Sequence, residues 1–410
     1  METVELSNGL KIVLVPCEAE SVAFGLFVAS GSCHERPHES GISHFIEHML
    51  FKGTPTRSAL DISRSIEGRG GMFNAWTSEE ATAFYAHLPY EYLGEAVEIL
   101  SDMFLHASMS REEFEREKFV VLEEIRMYAD DPDSVVLENL QSAIFAGSTL
   151  ASPIAGSAAT LTKMRPADLK RYMRGHYLPS RTVAVVVGRF DRDAAVKAVS
   201  SRLGRFRAKG ADMSKVDVSA FEPVKPTVTK TKDVQQTRIA IGYRTFGCGD
   251  ERKYAATVFD AILGRGMSSR LFQQVREKKG LSYDISSRMQ FLSDAGMWTV
   301  AMGVDPAKEK DAINTVDKEL ERICTKKVGR EELSRTKEFL VGNFRLSHER
   351  VVSKLHFYGQ TMLSFGKIIS PEEQIRGILD VTADDVLHVA NEILKPDMRC
   401  VSRVVGGNLV

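Results

Sequence analysis

No apolar run in this 410-residue chain reaches the roughly 18–20 residues that a membrane-spanning helix needs. The opening stretch "METVELSNGLKIVLVP" lacks a basic segment followed by an apolar one, so no secretory signal is expected. Neither sign of charge is in excess: 54 Lys and Arg stand against 55 Asp and Glu, for a net charge of −1. With no basic field, neither nucleic acid nor an anionic membrane is an expected partner. Cysteine is scarce. Cys17, Cys33, Cys248, Cys324 and Cys400 are odd in number, scattered, and form no C-x-x-C pair. Such spacing argues against a disulfide framework and fits reduced thiols in a cytoplasmic protein.

What is present suits a globular protein, with 43% hydrophobic and 27% charged residues. The length exceeds what one core serves and points to at least two domains. An internal repeat gives the division. "MSREEFEREKFVVLEEIRM" (109–127) has a counterpart in "VGREELSRTKEFLVGNFRL" (328–346), at an offset of 219 from Arg111 to Arg330. "RPADLKRYMRGHYLPSRTVAVVVG" (165–188) matches "TADDVLHVANEILKPDMRCVSRVVG" (382–406), and "VAFGLFVASGSCHERPHE" (22–39) resembles "TRIAIGYRTFGCGDERKY" (237–254). Two domains of one architecture are expected, at 1–208 and 227–410. The polar stretch 209–226, with two prolines, reads as the linker.

Within each half, β-branched runs such as "LKIVLVP", "TAFYAHLP" and "TVAVVVG" read as strands. Helical periodicity predicts helices over about 39–52, 91–106, 110–130, 166–175 and 252–264. This order fits an α+β sandwich, a sheet with helices packed on one face.

One stretch carries chemistry: "GISHFIEHMLFKG" (41–53) sets His44, Glu47 and His48 on a predicted helix 39–51, with Gly53 as its stop. Residues four apart on a helix share a face, so His44 and His48 can hold one Zn²⁺ between them. Glu47 borders that face and reaches a water on the ion rather than the ion itself. This is an H-x-x-E-H arrangement, in which zinc acidifies water and the carboxylate takes its proton. A catalytic zinc usually has a third protein ligand. Helix 110–130 offers Glu117 and Glu124, seven apart and therefore on nearly one face. That pair can supply one ligand and one supporting carboxylate. Glu112, Glu113, Glu115 and Glu123 read as a solvated face. At the repeat offset Glu117 becomes Thr336 and Glu124 becomes Asn343, while Arg111 and Arg126 are kept as Arg330 and Arg345. The second half also has no H-x-x-E-H. Metal chemistry is therefore expected in the first half only.

Four segments together resemble the pitrilysin/insulinase metallopeptidases, in the subgroup of mitochondrial processing peptidase and its bacterial relatives. They are "GISHFIEHMLFKGTPTR" (41–57), "GGMFNAWTSEEATAFYAHLP" (70–89), "EREKFVVLEEIRMYADDP" (115–132) and "GRGMSSRLFQQVREKKGLSYDISS" (264–287). The resemblance implies that His44, His48 and Glu124 are the ligands of one Zn²⁺ per chain. Glu47 is then the general base, with Glu117 supporting the site. It implies that Asn74 and Ala75, in the segment Asn74, Ala75, Trp76, Thr77, lie on an edge strand that pairs with substrate backbone. Arg276 and Tyr283 would hydrogen-bond substrate near the scissile bond. The implied protein is a zinc endopeptidase of extended peptides that works inside a closed clamshell. Because this chain carries both sets of residues, a homodimer is the economical expectation, with a heterodimer of related subunits as the variant. The competing reading is a non-catalytic structural or peptide-binding subunit, like the core proteins of the bc1 complex.

Overall fold

The computed structural model describes residues 1–207, 221 and 224–406. Most of the expected linker, 209–220 with 222 and 223, lies outside the described residues. The chain opens with three strands, β1 (Glu2–Glu5), β2 (Lys11–Pro16) and β3 (Ser21–Val28). Two helices follow, α1 (Ile42–Leu50) and α2 (Ala59–Glu67), then the strands β4 (Met72–Thr77) and β5 (Thr82–Pro89). Next come α3 (Leu93–His106), α4 (Arg111–Asp130), α5 (Pro132–Ile144), the single turn α6 (Ala158–Leu161) and α7 (Pro166–His176). Strand β6 (Thr182–Gly188) and α8 (Arg192–Leu203) end the first half. The second half runs β7 (Thr227–Lys232), β8 (Thr237–Phe246), α9 (Lys253–Gly264), a π-helical turn at Phe272–Lys278, β9 (Ser282–Phe291) and β10 (Ala295–Val304). It closes with α10 (Glu309–Thr325), α11 (Arg330–Glu349), α12 (Val351–Phe365), α13 (Pro371–Asp380), α14 (Ala383–Ile393) and β11 (Arg399–Gly406).

The strands form two sheets, β1-β2-β6-β3-β5-β4 and β7-β11-β8-β10-β9. Only β2 with β6 and β7 with β11 pair in parallel; the other neighbours are antiparallel. Leaving out β1, the two sheets have one topology, strand for strand. The repeated helices agree as well: α4 and α11 each start at the paired arginines Arg111 and Arg330 and run 20 residues. The fold is α+β, as expected.

Each sheet owes its position to side chains that can go nowhere else. Strand β6, "TVAVVVG", is buried along its whole length. Its valines are β-branched and suit a pleated interior, and each contributes on the order of 1.5–3 kcal/mol by leaving water. In β3, Val22, Phe24 and Leu26 point to the main helical layer, while Ala23 and Phe27 point to the opposite face. That opposite face is buried too, against Leu355, Tyr358 and Met362 of α12.

Here the units depart from a single cut in the chain. The first unit holds Met1–Ile125, Leu346–Ile369 and the described residues of 152–216. The second takes Arg126–Ala151 from the first half of the sequence. Helix α12 thus serves the first sheet and α5 the second. The cause is packing rather than chain order. Glycines in the sheets and helices let these layers approach closely: an added Cβ on Gly242 would lie 2.7 Å from Ile144 of α5. Among the described residues no helix is long and apolar enough to cross a membrane.

A Cβ on Gly359 of α12 would fall 2.6 Å from three ring carbons of Phe27. Gly359→Ala should therefore overpack this layer and cost about 1–3 kcal/mol. Urea denaturation should show a lower midpoint with an unchanged slope.

Candidate metal centre

Helix α1 begins at Ile42, three residues later than the periodicity predicts. The reason is Gly41, which sits at φ +93° and breaks the helix. Pro37–Glu39 forms a separate 3-10 turn. No other residue fits at 41, because a Cβ would meet the Ala155 carbonyl at 2.6 Å. The free amides at the helix start are taken by a side chain from outside it. Glu35 accepts from Gly41 N at 2.7 Å and from Ser43 N at 2.8 Å. A carboxylate there also meets the positive end of the helix dipole. The apolar face of α1 (Ile42, Phe45, Ile46, Met49, Leu50) is fully buried. Phe45 packs on Phe114 of α4, with ring centroids 4.8 Å apart, which sets the two helices against each other.

That packing brings the carboxylates of α4 to the histidines of α1. His44, His48 and Glu124 each offer one donor atom, and these atoms lie within 4.8 Å of one another. Among the described residues this is the one cluster of its kind. Glu124 Oε2 is 3.3 Å from His48 Nε2 and 3.7 Å from His44 Nε2. Ligands ~2.0–2.1 Å from one tetrahedral zinc stand roughly 3.3 Å apart, so the donors are spaced to hold such an ion. On its other side His48 Nδ1 bonds Glu117 Oε1 at 2.8 Å. This fixes the imidazole with Nε2 turned to Glu124, the support that metal-ligating histidines commonly have. His44 lacks a matching partner: its Nδ1 is buried without a hydrogen bond among the described residues.

Charge is distributed unevenly across the pair. Burial, with the neighbouring His48 cation, pulls the His44 pKa down to about 4. Burial also works against charge on His48, but the hydrogen bonds it donates to Glu117 and Glu124 outweigh that and push its pKa up to about 9. Glu117 is 5% exposed. Burial would raise its pKa, yet hydrogen bonds from His48 and Lys52 hold it below the usual carboxylate range. Glu47, beside these donors, is raised by burial against a lowering hydrogen bond from Thr77.

The other predicted residues fall in two places. Asn74 and Ala75 lie on β4, the outermost strand of the first sheet, where Ala75 N donates to Asn74 Oδ1 at 2.8 Å. Arg276 and Tyr283 are neighbours within the second unit. The Arg276 guanidinium lies 4.8 Å from the Tyr283 ring centroid and 4.7 Å from that of Phe272, and Tyr283 is 77% exposed. Glu112 and Glu113 pair with Arg116 on the surface of α4, as expected of a solvated face.

Residues 11–158 match the family described as insulinase (peptidase family M16), and residues 163–340 match the peptidase M16 inactive domain. The chain belongs to the M16 insulinase family. Among similar M16 proteins is "Uncharacterized zinc protease YmxG" of Bacillus subtilis, 36% identical over 403 residues that cover 98% of each chain. Two solved structures share the fold at a TM-score of 0.90. One is a protease from Helicobacter pylori, 21% identical, covering 98% of both chains. The other is a peptidase M16 inactive domain from Pseudomonas fluorescens, 18% identical, covering 100% of this chain and 98% of that one.

Two side chains of the candidate site are not singled out for it by the sequence. Lys52 Nζ sits 2.6 Å from Glu117 Oε2, so that carboxylate is gripped from both sides. Its position four residues after His48 was the available signal. Thr77 Oγ1 donates to Glu47 Oε2 at 2.5 Å. The sequence places Thr77 in the edge-strand segment with Asn74 and Ala75, and nothing there connects it to Glu47.

Glu117→Ala should leave the fold intact and weaken zinc affinity about 10–100-fold, the usual cost of losing such a support. Competition with a chromophoric chelator measures it. Unchanged affinity would remove Glu117 from the metal site.

Proposed function

We propose that this chain is a zinc-dependent endopeptidase of extended or unfolded peptides, working in a closed chamber as a homodimer. The observation that carries the reading is the convergence of His44, His48 and Glu124 on one point, with Glu47 beside them. The residues would hold one zinc per chain. When bound, zinc supplies Lewis acidity that brings the pKa of water towards neutrality and polarises a carbonyl.

The chain's own residues supply the rest. Glu47 takes a proton from the attacking water as its oxygen bonds to the scissile carbonyl carbon. It then gives that proton to the amine nitrogen as the C–N bond breaks, which leaves one carboxylic acid and one amine. Raised by burial, Glu47 is a better proton acceptor than an exposed glutamate. Glu117 accepts from His48 Nδ1–H and keeps that ring in register. Strand β4 takes the substrate as an added strand through the backbone at Asn74 and Ala75, which makes binding tolerant of sequence and restricts it to extended chains. In the proposed homodimer, Arg276 and Tyr283 of one subunit face the zinc-bearing half of the other and donate hydrogen bonds to substrate next to the scissile bond.

A non-catalytic subunit is the other reading, and the similarity to an inactive-domain structure speaks for it. Such a subunit has no need of a base beside the donors, and Glu47 stands there with its own hydrogen-bond donor.

Purified protein should cleave fluorogenic 10–30-residue peptides in a chelator-sensitive way with about one zinc per chain. Glu47→Gln should keep the zinc and lose hydrolysis by about 10²–10⁴-fold. Metal analysis and a peptide assay on one sample decide it. Zinc without cleavage in the wild type would favour the non-catalytic reading.

A further inference from the structure

Thr77 ends the outermost strand and touches the carboxylate of Glu47, and its surroundings make it a fixed point. Side chains alternate along β4: Phe73 and Ala75 pack with the layer that contains α1, and Trp76 packs with the opposite layer. Thr77 shares the face of Phe73 and Ala75, which is why its hydroxyl reaches Glu47. The strand end is held from both sides. Trp76 Nε1 bonds His356 Nδ1 of α12 at 3.3 Å, and the indole packs edge-on against Phe27. Directly after Thr77, Ser78 N bonds Ala81 O at 2.8 Å, and the Ser78 carbonyl accepts from Ser32 N at 3.1 Å. Across the pair, Thr82 faces Thr77 and is itself tied to the Ser30 carbonyl at 2.8 Å. Threonine adds stiffness of its own, since β-branching restricts χ1. Glu47, by contrast, has a long side chain with several rotatable bonds. In this pair the hydroxyl is the anchor and the carboxylate is what it holds.

We propose that Thr77 is a positioning residue: its hydroxyl fixes the Glu47 carboxylate relative to β4, so that the strand that receives the substrate also aims the base. The inference rests on the peptidase reading above. Substrate backbone laid along β4 and the proton-accepting oxygen are then referenced to one strand. Misplacing a base by even an ångström is costly, so one hydroxyl has leverage on turnover.

The test is Thr77→Val, which keeps shape and β-branching and removes the donor, beside Thr77→Ser, which keeps the donor. Both are assayed on one fluorogenic peptide with wild type and Glu47→Gln, with zinc content and thermal midpoint on the same samples. Thr77→Val should lower kcat about 10- to 100-fold, the scale of one hydrogen bond to a charged group. KM should stay within about twofold and zinc at wild-type content, because neither the strand edge nor the ligands change. Thr77→Ser should recover most of the loss. An unchanged kcat in Thr77→Val overturns the proposal. So does a rise in KM alone, which would place Thr77 in strand addition, and so does a folded Thr77→Ser as slow as Thr77→Val, which would make shape rather than the hydroxyl the cause. An inactive wild type or an active Glu47→Gln overturns the peptidase reading and this inference with it. A wild type and Glu47→Gln that behave as expected confine any failure to Thr77.

Discussion

Everything at the candidate metal centre follows from how α1 lies on α4. The contact is apolar at its heart, where Phe45 meets Phe114. A helix carries its side chains at fixed angular steps. Once one pair of rings is seated, the polar neighbours have no freedom to choose their partners. His44 and His48 come to Glu124, and His48 and Lys52 come to Glu117. The charged groups would not assemble alone, because desolvating the buried carboxylate of Glu117 and the half-buried one of Glu124 is costly unless cations or a metal answer them. The aromatic seat supplies the order, and the ion pairs supply the direction in which each ring faces.

The second unit shows the same scaffold without that chemistry. Its helix α11 repeats α4 in start and length, but Thr336 and Asn343 stand where α4 has Glu117 and Glu124. Thr336 turns its hydroxyl onto its own helix, to the Glu332 carbonyl at 2.8 Å. A buried carboxylate of this unit is held by hydrogen bonds from its own unit. Asp260 of α9 is fully buried and accepts from Ser287, Trp298 and Arg265 at 2.5, 2.9 and 2.5 Å. A carboxylate on the helix bonded to a hydroxyl on the outermost strand thus occurs in both units, at Asp260 with Ser287 and at Glu47 with Thr77. In one unit it closes a buried network; in the other the carboxylate stands beside the donors of His44, His48 and Glu124.

Much of this could be read in advance, and the exceptions share a cause. Helical spacing places His44 and His48 together, and the seven-residue step places Glu117 and Glu124 together, because both facts are local to one helix. The repeat anticipates the common topology for the same reason: each copy carries its own periodicity. The late start of α1 is hidden because it depends on Gly41 lying against the Ala155 backbone, more than a hundred positions away. Lys52 and Thr77 escape notice because their partners sit on other elements. The exchange of α5 and α12 is also invisible, since an amphipathic helix declares that it will cover an apolar face and does not say which one.

That exchange sets a timetable for the chain during its synthesis. The first sheet is complete in strands once β6 has been made, yet one of its apolar faces waits for α12, which ends at Phe365. Until α12 has emerged, Val13, Val185 and Phe27 line a surface with nothing over it. Such a surface is what chaperones bind and what drives premature association. A nonsense mutation anywhere before α12 therefore leaves that face of the first sheet uncovered, and the product is sticky rather than a smaller working one.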